Sequence, residues 1–382
     1  MNILVLKGQS RYDVLRIFCD TMIDAFTNLG HSVDIFDGCS ENLDAVISHC
    51  KMQDYDFVFC FNAILIENCD IFLNNPDTIV WSFLVDHPYY HHLRLLSPHK
   101  NHIVSCIDHA HVQYLRKHYP HIQAFHYVPH GGNLPVSQPK EYLDREINVA
   151  FMGSYSDTQP LENTMNQLPD LIKMVVNNVI KNYYATWTEP LENLYDYEFR
   201  KYQLNLSREE FAGFMNELTC VDQYLRALNR ELILNTLTSN GVKVDVFGAG
   251  WEHYACPNPE NLCIHGQIGY TEVLETMCNS KIVLNPLPLF TNGSHERVFT
   301  SMLCGAVCVS EKNLYLQQEF TDNENITFFN MAALHEFPKQ IQALLDNPEQ
   351  AAFIAQNGQA LATQMHTWQH RAQSIIDIVH NM

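Results

Sequence analysis

The stretch Asn2 to Phe36, NILVLKGQSRYDVLRIFCDTMIDAFTNLGHSVDIF, decides the fold. It opens on a short apolar run from Asn2 to Lys7. A helix-periodic stretch from Tyr12 to Leu29 follows, ended by Gly30, and a second run closes it from Ser32 to Phe36. Strand, helix and strand at this spacing make a βαβ unit. Short runs that are apolar on both faces recur at Asp56 to Phe61, Thr78 to Val85, His102 to Cys106 and Ala124 to Val128. A parallel sheet covered by helices on both sides requires that pattern. Residues 1–135 therefore read as one doubly wound α/β domain.

Prolines and charges gather in LPVSQPKEYLDRE (134–146), where neither helix nor central strand is favoured, which predicts a linker at 136–146. A second α/β series then fills 147–365. Its predicted strands are Ile147 to Met152, Val242 to Phe247, Leu262 to His265, Lys281 to Leu284, Ala306 to Val309 and Ile326 to Phe329. Helical patterns at Tyr270 to Asn279 and Glu296 to Cys304 separate some of them. A long helical insertion, about 161–240, is rich in Asn, Tyr and Leu and carries no recognisable chemistry, so it is read as an extension of the domain or a partner or oligomer surface. Residues 366–382 form a last helix from Trp368, whose apolar stripe, Ala372, Ile375, Ile376 and Val379, would suit a return to the N-terminal domain.

The 382 residues suffice for two domains with full cores. Asp and Glu number 43 against 23 Lys and Arg, a net charge of −20, which disfavours a nucleic-acid polymer as partner. A local basic pocket for a small anion is compatible with that balance. The opening residues lack the basic flank, apolar core and cleavage site of a secretory signal, no apolar run approaches a membrane span, and the twelve cysteines contain no CxxC pair. These features lead to the expectation of a cytoplasmic protein with reduced thiols.

Gly8-Gln9-Ser10-Arg11 after the first run is not the GxGxxG of a dinucleotide site, and no phosphate-binding GxxxxGK[ST] occurs. The informative stretch is Asn285 to Gly305, NPLPLFTNGSHERVFTSMLCG. A strand ends at Asn285, an irregular loop follows, and Gly293 and Ser294 stand before a predicted helix. The N–H groups of such a helix start can hold a diphosphate, with Ser294 and Arg297 adding donors; the plainer alternative is an ordinary cap, with Ser294 capping and Glu296 in the first turn.

Five pieces in order carry a family resemblance: INVAFMGSYSD (147–157), VDVFGAGW (244–251), HGQIGYTEVLETMCNSKIVLN (265–285), ERVFTSMLCGAVCVSE (296–311) and HTWQHRA (366–372). From Gly153 onward the chain resembles the bacterial CgeB-like glycosyltransferases, whose C-terminal domain is of the group 1 glycosyltransferase type. In the N-terminal half only VDHP (85–88) and VPHGGN (128–133) match. The resemblance implies a GT-B fold, two Rossmann-like doubly wound domains facing a cleft, and transfer of a sugar from a nucleoside-diphosphate donor to an acceptor. Protein, glycan and small-molecule acceptors all remain open.

Carried over by position, Gly153, Ser154, Tyr155 and Gly248 fall in the donor loops. Asn285 also belongs to the donor site, Gly266, Gln267 and Ile268 would lie against the base, and Gly293, Ser294, Glu296 and Arg297 would face the diphosphate. Two departures stand out. Thr300 occupies the place of a glutamate expected on the ribose, and the arginine expected after the GSYS segment is replaced by Ser156-Asp157-Thr158-Gln159. No cofactor is expected beyond the nucleotide sugar, with UDP or dTDP favoured by family habit.

Eleven of the twenty histidines fall between His87 and His130. His87, His91 and His92 could share a helical face, yet they lack acidic or cysteine partners at ligand spacing, so no metal is assigned. Asp86, His87, His109 and His130 follow predicted strand ends, where open α/β sheets bind ligands, and they are the candidate catalytic residues. A nucleotide-sugar epimerase of the same fold and a catalytically degenerate surface or coat assembly protein are the rival readings.

Overall fold

The computed structural model describes residues 1–9, 13–97 and 99–382. Among them are two six-stranded sheets in which every pairing between named strands is parallel. The first contains β1 (Asn2–Lys7), β2 (Ser32–Asp37), β3 (Phe57–Phe61), β4 (Ile79–Leu84), β5 (His102–Cys106) and β6 (Ala124–Tyr127), in the order β2-β1-β3-β4-β5-β6. The second contains β7 (Ile147–Met152), β8 (Val244–Phe247), β9 (Leu262–Ile264), β10 (Ser280–Asn285), β11 (Val307–Glu311) and β12 (Thr327–Phe329), in the order β12-β11-β10-β7-β8-β9. With flanking helices, these are the two Rossmann-like halves of the GT-B fold.

Each run read as a strand is one. Ile3 to Leu6, all of β3 and all of β5 are buried, because helices cover both faces and leave no position for a polar alternation. The first helix runs Val14–Asn28, and Gly30 beyond it adopts φ 86°, a left-handed conformation that suits glycine. Ser10, Arg11 and Tyr12, read as turn and helix start, lie outside the described residues.

The chain forms two compact units. The first comprises Met1–Gly131, Leu206–Glu217 and Trp368–Met382; the second comprises Gly132–Asn205 and Leu218–Thr367. The final helix, Trp368–His380, thus builds the first unit, where Ala372, Ile375 and Ile376 are buried. Its Trp368 ring sits among Phe18 (5.2 Å between centroids), Phe61 (5.5 Å), Phe83 (5.9 Å) and His130 (4.9 Å). A Cβ on Gly131 would come within 2.5 Å of that indole, so glycine is required for the approach.

Two details differ from the sequence reading. The helical stretch 161–240 is not all part of the second unit. Its Arg208–Glu217 helix belongs to the first, where His118 stacks on Phe211 at 4.9 Å and Asn216 Nδ2 donates to the Tyr89 carbonyl at 2.7 Å. Residues 136–146 are likewise anchored within the second unit. Arg145 is buried there and donates to the carbonyls of Ser280 (2.8 Å) and Cys304 (3.0 Å), so carbonyls rather than water satisfy its charge.

Candidate active site

In the second sheet β7 and β10 are neighbours, with β8 beyond one and β11 beyond the other, so the winding reverses at their carboxyl ends. Open α/β sheets bind ligands at such a reversal. The loop after β10 leads into the Glu296–Leu303 helix, whose cap is His295: its Nδ1 accepts from the Arg297 N–H at 3.2 Å. Ser294, the cap suggested by sequence, is fully buried and donates its hydroxyl to the His295 carbonyl at 3.1 Å. Asn313 Nδ2 holds the Gly293 carbonyl at 2.8 Å.

Arg297 lies in the first turn, only 7% exposed, with Nη1 3.4 Å from Asn285 Oδ1. A second guanidinium arrives from the Thr219–Ser239 helix, to which the sequence reading gave no chemistry. Arg230 of that helix donates to the Ser154 carbonyl, directly at the GSYS segment. Both guanidinium carbons lie close to the Phe151 ring centroid of β7, at 5.6 Å for Arg297 and 5.8 Å for Arg230. Among the described residues neither is in hydrogen-bonding contact with a carboxylate, whereas Arg226, one turn earlier, is paired with Asp222 at 2.8 Å.

Burial pulls the Arg230 pKa down to about 9, with repulsion from Arg297 and Arg226 adding to it. Arg297 is also lowered by burial, with Glu296 opposing the shift. The nearby carboxyls offer little relief. Burial raises Glu296 to about 7 against the pull of Arg297, and raises Glu311 to about 7 although it accepts the Leu287 N–H at 3.0 Å. Two poorly solvated cations beside a helix start make this a place where an arriving anion is strongly stabilised.

The surrounding loops are shaped by close backbone approach. Gly153 N–H donates to the Phe247 carbonyl at 2.8 Å, Tyr155 N–H to Ala249 at 2.9 Å, and Gly248 N–H to Gly266 at 2.7 Å. Gly248 adopts φ 148°, and a Cβ there would fall 2.4 Å from the Gly153 carbonyl oxygen. This fixes the GAG sequence sterically. The Tyr155 hydroxyl donates to Glu231 at 3.0 Å. Gly266 faces open space and Gln267 is exposed, while Ile268 packs on the core that includes Phe247.

Thr300 has a different part from the one expected. It is completely buried, and its Oγ1 accepts the Asn133 N–H at 3.2 Å, while Asn133 Nδ2 donates to the Tyr270 hydroxyl at 2.5 Å. A hydroxyl engaged this way braces the 132–133 segment.

In the first unit Asp86 follows β4, and its side chain is 45% exposed. Asn62 Nδ2 donates to its Oδ2 at 3.0 Å, and Asn62 Oδ1 accepts the Val85 N–H at 2.9 Å, so β3 and β4 together orient the carboxylate. His91, buried, places Nε2 3.9 Å from the same oxygen; burial lowers its pKa to about 4 despite Asp86. The other candidates are more enclosed. His87 is buried, stacked on Tyr89 at 3.7 Å, and its Nδ1 accepts the Tyr89 N–H. His109 stacks on Tyr127 at 3.7 Å, its pKa lowered by burial. His130 is 3% exposed against Trp368, with a pKa lowered to about 4, again by burial. Of the four sequence candidates, Asp86 alone combines an oriented polar group with substantial exposure.

Comparison with known proteins supports the fold. Residues 226–377 match the family model described as glycosyl transferase-like. The whole chain superposes on HepE of Anabaena, solved with UDP and glucose, at a TM-score of 0.57 and 12% identity over 100% of both chains. It also superposes on the sucrose-phosphate synthase of Thermosynechococcus elongatus, at 0.58 and 10% identity, covering 100% of this chain and 98% of that one. An alpha-glucosyltransferase in complex with UDP gives 0.61 and 10% identity over both full chains. No curated protein sequence matches. The chain therefore carries a glycosyl transferase-like segment within a GT-B fold. Among the described residues no helix is long and apolar enough to cross a membrane.

Proposed function

We propose that the protein is a glycosyltransferase that moves a sugar from a nucleoside-diphosphate donor, UDP or dTDP in preference, to an acceptor hydroxyl. The observation that carries this reading is the Arg230 and Arg297 pair beside Phe151 at the reversal of the second sheet, in hydrogen-bonding contact with no carboxylate among the described residues. The bond from the sugar's anomeric carbon to the diphosphate oxygen breaks as the acceptor oxygen bonds to that carbon. The leaving diphosphate gains charge, which the two guanidiniums and the Glu296–Leu303 helix start stabilise. We assign removal of the acceptor proton to Asp86.

Arg230 supports this reading against a catalytically degenerate protein, because it supplies a guanidinium at the GSYS segment, where the expected arginine is absent from the sequence. The CgeB-like, bacterial subfamily and a cytoplasmic location are the finer assignment we favour. So is a metal-independent reaction, in which transfer continues in excess EDTA. The test is a thermal-shift panel of UDP, GDP, dTDP and CMP with their sugars, followed by product analysis with donor alone and with acceptors. A nucleoside diphosphate at 100 times its Kd adds ~2.7 kcal/mol to the native state. No shift with any of them would end the donor-site assignment, and epimerised sugar from donor alone would replace transfer with epimerisation.

A further inference from the structure

On the edge of the second sheet β9 pairs with β8 in parallel, with Asp245 opposite Cys263. Register partners in a sheet present their side chains to the same face, and Cys263 and His265, two residues apart, share it as well. A carboxylate, a thiol and an imidazole thus converge, each offering an atom within 4.8 Å of the others. His265 Nε2 lies 2.7 Å from Asp245 Oδ1, and its ring is stacked on Phe247 at 4.3 Å and 7°. The imidazole is therefore oriented before any ligand arrives. The neighbours Val244 and Val246 are fully buried in the core, whereas Cys263 and His265 are exposed. An entry path and room for water are both present.

We propose that Asp245, Cys263 and His265 bind a divalent transition-metal ion of the zinc class, with water completing a four-coordinate shell. The donor set selects that class: thiolate and imidazole favour zinc over magnesium or calcium, which prefer all-oxygen shells. Carboxylate and thiolate together neutralise the two positive charges. Binding replaces the thiol S–H by a metal–sulfur bond and releases that proton to solvent. The ion would pin β9 to β8 at the residue before Gly266. Its role is structural, and the inference is independent of the glycosyltransferase reading.

The experiment is an anaerobic titration of the full-length, chelator-stripped protein with cobalt(II), followed by displacement with zinc. One cobalt per chain is expected, with thiolate-to-cobalt charge-transfer absorption and the visible bands of a four-coordinate ion, lost when zinc is added. Cys263→Ser is expected to abolish the charge-transfer band. His265→Ala and the near-isosteric Asp245→Asn should each weaken cobalt binding at least tenfold. All three surface variants should melt with the metal-free wild type. A charge-transfer band that survives in Cys263→Ser, or no such band in the wild type, overturns the proposal.

Discussion

At the β7 and β10 end of the second sheet, two guanidiniums share the neighbourhood of one phenyl ring, with no carboxylate of the described residues in hydrogen-bonding contact. At the β3 and β4 end of the first, a single oriented carboxylate, Asp86, stands near imidazoles that burial holds neutral. Both places lie at the carboxyl ends of parallel strands, so topology gives each a ligand-facing position and side chains alone separate their chemistry. The first arrangement attracts negative charge. The second presents an oriented carboxylate, which suits proton acceptance from a neutral hydroxyl. Donor and acceptor duties would divide accordingly.

The largest expected effect tests that division. Asp86→Asn retains the shape of the residue and removes its basicity, so kcat should fall by about 10² to 10⁴ while UDP affinity stays that of the wild type. Steady-state kinetics beside equilibrium UDP binding reads both. A kcat within threefold of wild type would remove Asp86 from the chemistry, and a parallel loss of UDP affinity would erase the contrast between the two ends.

Next in size is a difference in how the ends are supported. Trp368 fills the space among Phe18, Phe61, Phe83 and His130 in the first unit, so Trp368→Ala is expected to cost ~3 to 5 kcal/mol of stability by denaturant unfolding. UDP binding by the second unit should survive under native conditions. A loss below 1 kcal/mol would show that the indole is dispensable to the first sheet's support.

The strands were legible because each is short and apolar on both faces, and a covered parallel sheet leaves almost no other use for such runs. The Glu296–Leu303 helix start was legible for a similar reason, a Gly-Ser loop ahead of a periodic run. Arg230 was not, since it lies in a helix whose tertiary neighbours the sequence does not reveal. One local signal existed: Arg226 has Asp222 four residues earlier, while Arg230 has Arg226 there and Leu234 four residues on, so its charge lacks a partner along its own helix. Family position gave Thr300 the place of a ribose-binding glutamate, whereas its hydroxyl accepts from Asn133, 167 residues away, a contact the sequence does not reveal. The enclosure of His87 and His130 depended on packing by Tyr89 and Trp368, which strand-end logic does not register.

The guanidinium pair sharpens the comparison from the other side. Arg230→Ala and Arg297→Ala should each weaken UDP binding about tenfold to a hundredfold, because a charge-assisted hydrogen bond is worth ~1.5 to 3 kcal/mol. Each side chain is also near the Phe151 ring, so the double variant should be read as a cycle and not as a sum. Titration calorimetry at two salt concentrations separates the charge from lost packing. Unchanged affinity in Arg230→Ala would return the insertion helix to a purely structural role.

The smallest effect is in pH, where the two ends oppose each other. His91 and His130, lowered by burial to about 4, are neutral in the folded first unit and charge more readily when unfolded. Their contribution to stability is complete above about 6.5 and is lost as pH falls toward 4. Glu296 and Glu311, raised by burial to about 7, behave in reverse: the folded state holds their protons more tightly, and stability is lost as pH rises from about 4.5 through 7. Over the shared window the two slopes oppose each other. Removing one side exposes the other. His91→Phe should raise Tm at pH 5 relative to its own value at pH 7, compared with the wild type. Glu296→Gln should shift the balance the opposite way, gaining at pH 7 relative to pH 5. Profiles from both variants that superimpose on the wild type would mean that neither buried group changes its protonation on unfolding, and the electrostatic contrast between the two sheet ends would then rest on Asp86 and the arginines alone.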